Sequence, residues 1–135
     1  IKEVSSFVLK IVFEKLRDCG VDMEEIILKP SFVRQGLDIQ VDPQVTAKDT
    51  IQNFKSVLPE NLGGIAFISG GIKDSEAIET LKLLNKYKDD FNFTVLSSYS
   101  FGRALQTRCL QSWKGSVLNL NSAQKKLIEV LSFFK

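Results

Sequence analysis

Two hydrophobic periods alternate along this chain, and that alternation limits its fold more than any other feature. Short apolar, strand-like runs at residues 25–29, 65–68 and 93–99 are separated by longer stretches in which apolar residues recur at three- and four-residue steps. Such steps mark amphipathic helices. The order reads α-β-α-β-α-β-α-α. The strands recur at intervals of about 30 to 40 residues with helices between them, so the sheet is expected to be parallel. A parallel sheet is either open and doubly wound or closed into a barrel. Three strands alone cannot close a barrel, which takes eight βα units and about 250 residues.

The boundaries follow from turn chemistry. In the first helix, Val4, Phe7, Val8, Ile11, Val12 and Leu16 form the expected buried stripe, and Gly20 sits where a C-terminal stop belongs. A polar connection, residues 31–41, contains Gly36. Asp42-Pro43 starts the second helix with a capping carboxylate and a proline at the first position. Val45, Ile51, Phe54 and Val57 continue it to Pro59. Gly63-Gly64 opens the second strand, and Ser69-Gly70-Gly71 closes it. Asp74 is the expected cap of the third helix, with Ala77, Ile78, Leu81, Leu84 and Tyr87 on its buried side. Thr94 and Val95 give the third strand a β-branched centre. Ser100-Phe101-Gly102-Arg103 ends it and opens a fourth helix through Ala104, Leu105 and Leu110 to Trp113. Asn119 or Asn121 caps the last helix, whose apolar face is Leu127, Ile128, Leu131 and Phe134. Trp113 and the ten phenylalanines are expected to serve packing.

Composition narrows the function classes. A chain of 135 residues suffices for one domain with one core. Net charge is +2 with no long run of either sign, which gives no electrostatic case for nucleic acid or membrane binding. No apolar stretch approaches a bilayer span, and no signal peptide is visible. The chain opens on Ile1 in what reads as mid-helix, which suggests a piece of something longer or a processed product. Histidine is absent, which removes the Ser-His triads and most zinc sites. Cys19 and Cys109 are isolated, so they form no metal-spaced cluster and fit a reducing compartment. No paired carboxylates fall at strand ends, so two-carboxylate hydrolysis has no support.

In parallel α/β folds the carboxyl ends of the strands carry the site. Here those ends hold Lys29, Ser69-Gly70-Gly71 and Gly102-Arg103. Burying a charged amine at a strand tip is costly, and burial favours a neutral, nucleophilic amine. Lys29 equally suits a plainer role, a lysine that snorkels into water where the strand leaves the core. The glycine turn lets backbone N–H groups approach an anion, with a helix N-terminus behind them, or simply permits a tight strand-to-helix turn. Arg103 is placed in the first turn of a helix, where the macrodipole disfavours a cation, and this tilts it toward an anionic partner.

Taken together these segments resemble class I fructose-1,6-bisphosphate aldolase, in its C-terminal barrel part. The matching pieces are Leu28-Lys29-Pro30 with Val33 and Gly36, Gly64-Ile65-Ala66-Phe67-Ile68-Ser69-Gly70-Gly71, Ser100-Phe101-Gly102-Arg103-Ala104-Leu105, Trp113, and Ala123-Gln124. The resemblance implies an α/β fold that is the C-terminal portion, about three βα units, of a (β/α)8 TIM barrel. It implies a metal-independent, cofactor-free enzyme of the cytoplasm that is a homotetramer when full length and cleaves a sugar phosphate. Lys29 would form the Schiff base. Ser69, Gly70, Gly102 and Arg103 would bind the substrate phosphate, and Ser100 would line the same pocket. The family's remaining catalytic groups, an aspartate, a glutamate and further lysines, belong to earlier strands that this chain does not contain.

The chain departs from the family in known places. Phe101 replaces a usual tyrosine, Lys73 a usual serine, and Ser31, Phe32, Arg34 and Gln35 stand for asparagine, methionine, threonine and proline. Two other readings stay open. One is a catalytically inactive aldolase-like fragment that binds phosphate or a protein. The other is a Schiff-base aldolase for a different sugar phosphate.

Overall fold

The computed structural model describes residues 1–36 and 38–134, apart from the side chain of Phe134. Leu37, in the expected connection, and the Phe134 side chain, expected on the last helix face, lie outside the described residues. The helices are α1 (Lys2–Asp18), α2 (Pro43–Val57), α3 (Asp74–Tyr87), α4 (Arg103–Trp113) and α5 (Leu120–Leu131). The strands are β1 (Ile27–Leu28), β2 (Gly64–Phe67) and β3 (Ser97–Tyr99). They pair in parallel in the order β1-β2-β3, with Leu28 opposite Ile65 and Ala66 opposite Ser98. Each crossover steps the same way across the sheet, so right-handed connections put α2 and α3 on one face.

That face is the core. Phe67 is fully buried between Phe32 and Phe54, with ring centroids 4.9 Å and 5.8 Å away. Ile51, Ala77, Leu81 and Leu84 close around them. Side chains alternate between faces along a strand, and the other face is barely covered. Ile27 is 67% exposed, and Leu96, which immediately precedes β3, is 78% exposed. Parallel sheets ordinarily have both faces covered.

Several expected boundaries appear as read. The Asp42 carboxylate accepts from Gln44 N–H at 2.8 Å and Pro43 opens α2. Gly20, at φ +73°, closes α1, its N–H donating to the Arg17 carbonyl at 2.9 Å. Gly63 is required by close approach, because a methyl there would overlap the Glu24 carbonyl oxygen.

Other expectations are corrected. The first strand is shorter than 25–29, because Asp22 caps a 3₁₀ turn, Met23–Glu25, by accepting from Glu24 N–H at 3.0 Å. The third strand is only its last three residues. Asn92 (φ +49°) and a 2.8 Å bond from Phe93 N–H to the Lys88 carbonyl hold the entry as a turn, and Phe93 plugs the core. Lys73, not Asp74, occupies the N-cap of α3, while Asp74 and Glu76 lie in its first turn, where carboxylates complement the helix dipole. Asn119 is the N-cap of α5, but its side chain donates to the Trp113 carbonyl at 3.1 Å and makes no capping bond. Val45, Leu110, Trp113, Ile128 and Leu131 are exposed rather than packed.

The largest correction concerns α1. Most of its expected stripe faces outward, with Phe7 66% exposed; only Leu16 of that stripe is partly buried, and the helix buries Phe13 and partly buries Leu9 beside it. A polar seam selects that side. The buried Asn53 amide of α2 donates to the Lys2 carbonyl at 2.8 Å and to Ser6 Oγ at 2.6 Å, and its oxygen accepts from Ser5 Oγ at 3.1 Å. Leaving that amide unpaired in the interior would cost about 1–3 kcal/mol, which fixes the rotation of α1 on α2.

Candidate active site

The three strand ends emerge side by side at one edge of the sheet. Pro30 follows Lys29, and its carbonyl accepts from Ile68 N–H at 2.9 Å. Ser31 and Ile68 form a parallel bridge, and Ser100 N–H donates to the Phe67 carbonyl at 2.7 Å. These bonds carry the sheet's register past the strands and into the loops.

Lys29 stands one residue beyond Leu28, at the level of Ala66 and Ser98, and on the opposite face from Leu28. Its face is the bare one, and β1 is an edge strand. The side chain is exposed as a result. The expectation of a buried amine therefore fails within this chain, and the exposed side chain fits the plainer reading of a lysine that snorkels into water.

Ser69 is half-buried at the end of β2. Gly70 and Gly71 follow at φ +62° and +86°, the left-handed region that side chains disfavour. Ile72 N–H closes the turn onto the Ser69 carbonyl at 3.2 Å, and α3 begins directly after it. The loop from β1 leans on this turn: a Cβ at Gly70 would lie 2.9 Å from Ser31 Cβ. At the third strand end Phe101 is buried as an anchor, with Ser100, Gly102 and Arg103 exposed around it. Gly102 is the N-cap of α4 and has no side chain to satisfy the first N–H groups. Those groups and the Arg103 guanidinium, its first helical residue, form a cationic helix start.

The structure brings part of the expected set into one cavity. Ser69 and Gly70 line a space of about 180 Å3 with Ser31, Arg34 and Gly36. Lys29, Ser100, Gly102 and Arg103 lie outside that cavity. Among the described residues no group of histidine, cysteine or carboxylate side chains is clustered to hold a metal ion. Among the same residues no helix is long and apolar enough to cross a membrane.

Sequence reading missed one support. Thr50, fully buried, accepts from Val33 N–H at 2.9 Å and donates to the Thr46 carbonyl at 2.7 Å. It pins the loop that follows Lys29 to α2. The available signal was two threonines one turn apart on the side of α2 that carries Ala47, Ile51 and Phe54.

Residues 1–133 match the family model described as fructose-bisphosphate aldolase class-I. The chain belongs to the class-I fructose-bisphosphate aldolase family. It is 36% identical over 124 residues to the cytoplasmic isozyme of fructose-bisphosphate aldolase from Spinacia oleracea, covering 91% of this chain and 34% of that one. It is 37% identical over 129 residues to fructose-bisphosphate aldolase 1 from Toxoplasma gondii, covering 94% of this chain and 35% of that one. Its backbone follows the fructose-bisphosphate aldolase of Plasmodium falciparum, solved in complex with TRAP and a small molecule inhibitor. That superposition has a TM-score of 0.89 at 29% identity and covers 98% of this chain and 38% of the other. The chain thus spans about a third of the length of the aldolases it matches.

Proposed function

We propose that the full natural chain carrying these residues is a Schiff-base, metal-independent aldolase. Its reaction is the reversible cleavage of fructose 1,6-bisphosphate to dihydroxyacetone phosphate and glyceraldehyde 3-phosphate, a step of glycolysis and gluconeogenesis. The observation that carries this reading is the alignment of three parallel strand ends bearing Lys29, the Ser69-Gly70 turn and the Gly102-Arg103 helix start in an aldolase-family chain. The bare sheet face, with Lys29 on it, fits a portion of a (β/α)8 barrel whose interior is completed by strands this chain does not contain.

The chemistry follows from the residue types. The Lys29 amine attacks the C2 carbonyl and water leaves, which gives a protonated imine. The C3–C4 bond then breaks. Its electron pair flows into the imine to form an enamine, and the C4 hydroxyl loses its proton as the aldehyde departs. Protonation of the enamine at C3 and hydrolysis of the imine release the ketone and restore the amine. The groups that carry these protons belong to the earlier strands. Backbone N–H groups of Gly70 and Gly102, the Ser69 hydroxyl and the Arg103 fork hold the phosphate nearest C2, with Ser100 lining the pocket. No cofactor is needed. A cytoplasmic location accords with the relatives named cytoplasmic isozymes, and the full chain is proposed to assemble as a homotetramer.

Cleavage of fructose 1,6-bisphosphate, followed in the presence of a chelator, tests this function. Lys29→Met should lower kcat by at least about a thousandfold while leaving inorganic phosphate binding intact. Phosphate binding with no turnover in the parent protein would favour the inactive phosphate-binding module instead.

A further inference from the structure

Arg34 stands where the family usually has threonine, and its surroundings do not fully satisfy it. Its side chain is only 9% exposed, and one terminal nitrogen donates to the Ile39 carbonyl at 2.8 Å. Nε lies 3.4 Å from Glu76 Oε1, yet neither buried atom makes a hydrogen bond. Thr80 Oγ1, one turn further along α3, is also buried and without a partner. Burying a guanidinium is costly unless its donors are met. This one has a carboxylate close enough to balance charge but not placed to accept from Nε.

The same side chain lines the 180 Å3 cavity that holds Ser69 and Gly70. An anion entering that cavity meets Arg34, whose buried Nε is without an acceptor, beside a turn of two left-handed glycines. The geometry points to Arg34 as an additional specificity residue, one that binds the phosphate monoester at the Ser69-Gly70 turn in exchange for its contact with Glu76. This rests on the reading of that turn as a phosphate site. Glu76 has the opposite effect: it competes with the ligand for the guanidinium.

That competition gives the test, because a purely structural brace would behave otherwise. In the full natural chain, affinity for inorganic phosphate is measured by calorimetry for the parent and for Arg34→Thr, Arg34→Lys, Glu76→Gln and Arg103→Ala. Circular dichroism confirms that each is folded. Arg34→Thr should weaken phosphate about tenfold or more, and Arg34→Lys should lie between it and the parent. Glu76→Gln should bind phosphate as tightly as the parent or tighter. Arg34→Thr within twofold of the parent, or Glu76→Gln weakened as much as Arg34→Thr, overturns the inference. If Arg103→Ala weakens phosphate and Arg34→Thr does not, this inference fails while the phosphate site stands. A parent that takes up no phosphate sinks both.

Discussion

Replacing Gly70 by alanine probes fold and site together. Alanine would have to hold φ near +62°, which costs about 1–2 kcal/mol for a residue with a Cβ. Its Cβ would also lie 2.9 Å from Ser31 Cβ. The obstructing atom is bonded to the backbone, so it cannot swing away as a long side chain could. Forcing the two loops apart adds about 1–3 kcal/mol. The expected loss is about 2–5 kcal/mol by urea unfolding of the full natural chain, read from the midpoint at unchanged slope. Ser31→Gly separates the two costs. In the double variant the overlap is gone and the dihedral cost stays, so the cycle should show a favourable coupling of about 1–3 kcal/mol. Gly70→Ala within about 0.5 kcal/mol of the parent would refute the turn geometry. Strict additivity in the cycle would refute the contact with Ser31.

Phe67→Ala removes the ring stacked between Phe32 and Phe54 and should cost about 3–5 kcal/mol by the same assay. Asn53→Ala strips Ser5, Ser6 and the Lys2 carbonyl of their partner, and should cost about 1–3 kcal/mol and speed amide exchange in α1 before the rest of the chain. Glu129 titrates below the ordinary carboxylate value of 4.5, because Lys126 donates to it at 2.8 Å and stands beside it as a charge. Its pairing therefore adds stability above its unfolded pKa and loses it as pH falls through the lowered folded one. In an NMR titration, Lys126→Met should move Glu129 upward, and an unmoved Glu129 would contradict that cause.

Much of this architecture was legible because it rests on local chemistry. Asp42-Pro43 and Gly20 announce helix ends through the backbone groups they satisfy or the dihedral they allow. The strand ends were legible too, since Lys29, Ser69-Gly70-Gly71 and Gly102-Arg103 each follow an apolar run. What escaped was tertiary. Periodicity shows that α1 is amphipathic, but the side it buries is chosen by Asn53, 47 to 51 positions away in sequence from its partners. Phe93 reads as strand by propensity, yet a turn at Asn92 and burial under the helices claim it. Whether Lys29 is buried or exposed was left open by the sequence, because the burial of a strand tip depends on which layers lie over its face. Arg34 and Glu76 share no motif and meet only because the loop after β1 packs on the start of α3.

The central claim is that Lys29 is the amine that captures the substrate carbonyl. Incubating the full natural protein with dihydroxyacetone phosphate, reducing with borohydride and mapping the modified peptide by mass spectrometry tests it directly. The account predicts one reduced adduct per chain, on Lys29, suppressed by excess inorganic phosphate. An adduct on another lysine, or undiminished trapping in Lys29→Met, would contradict it.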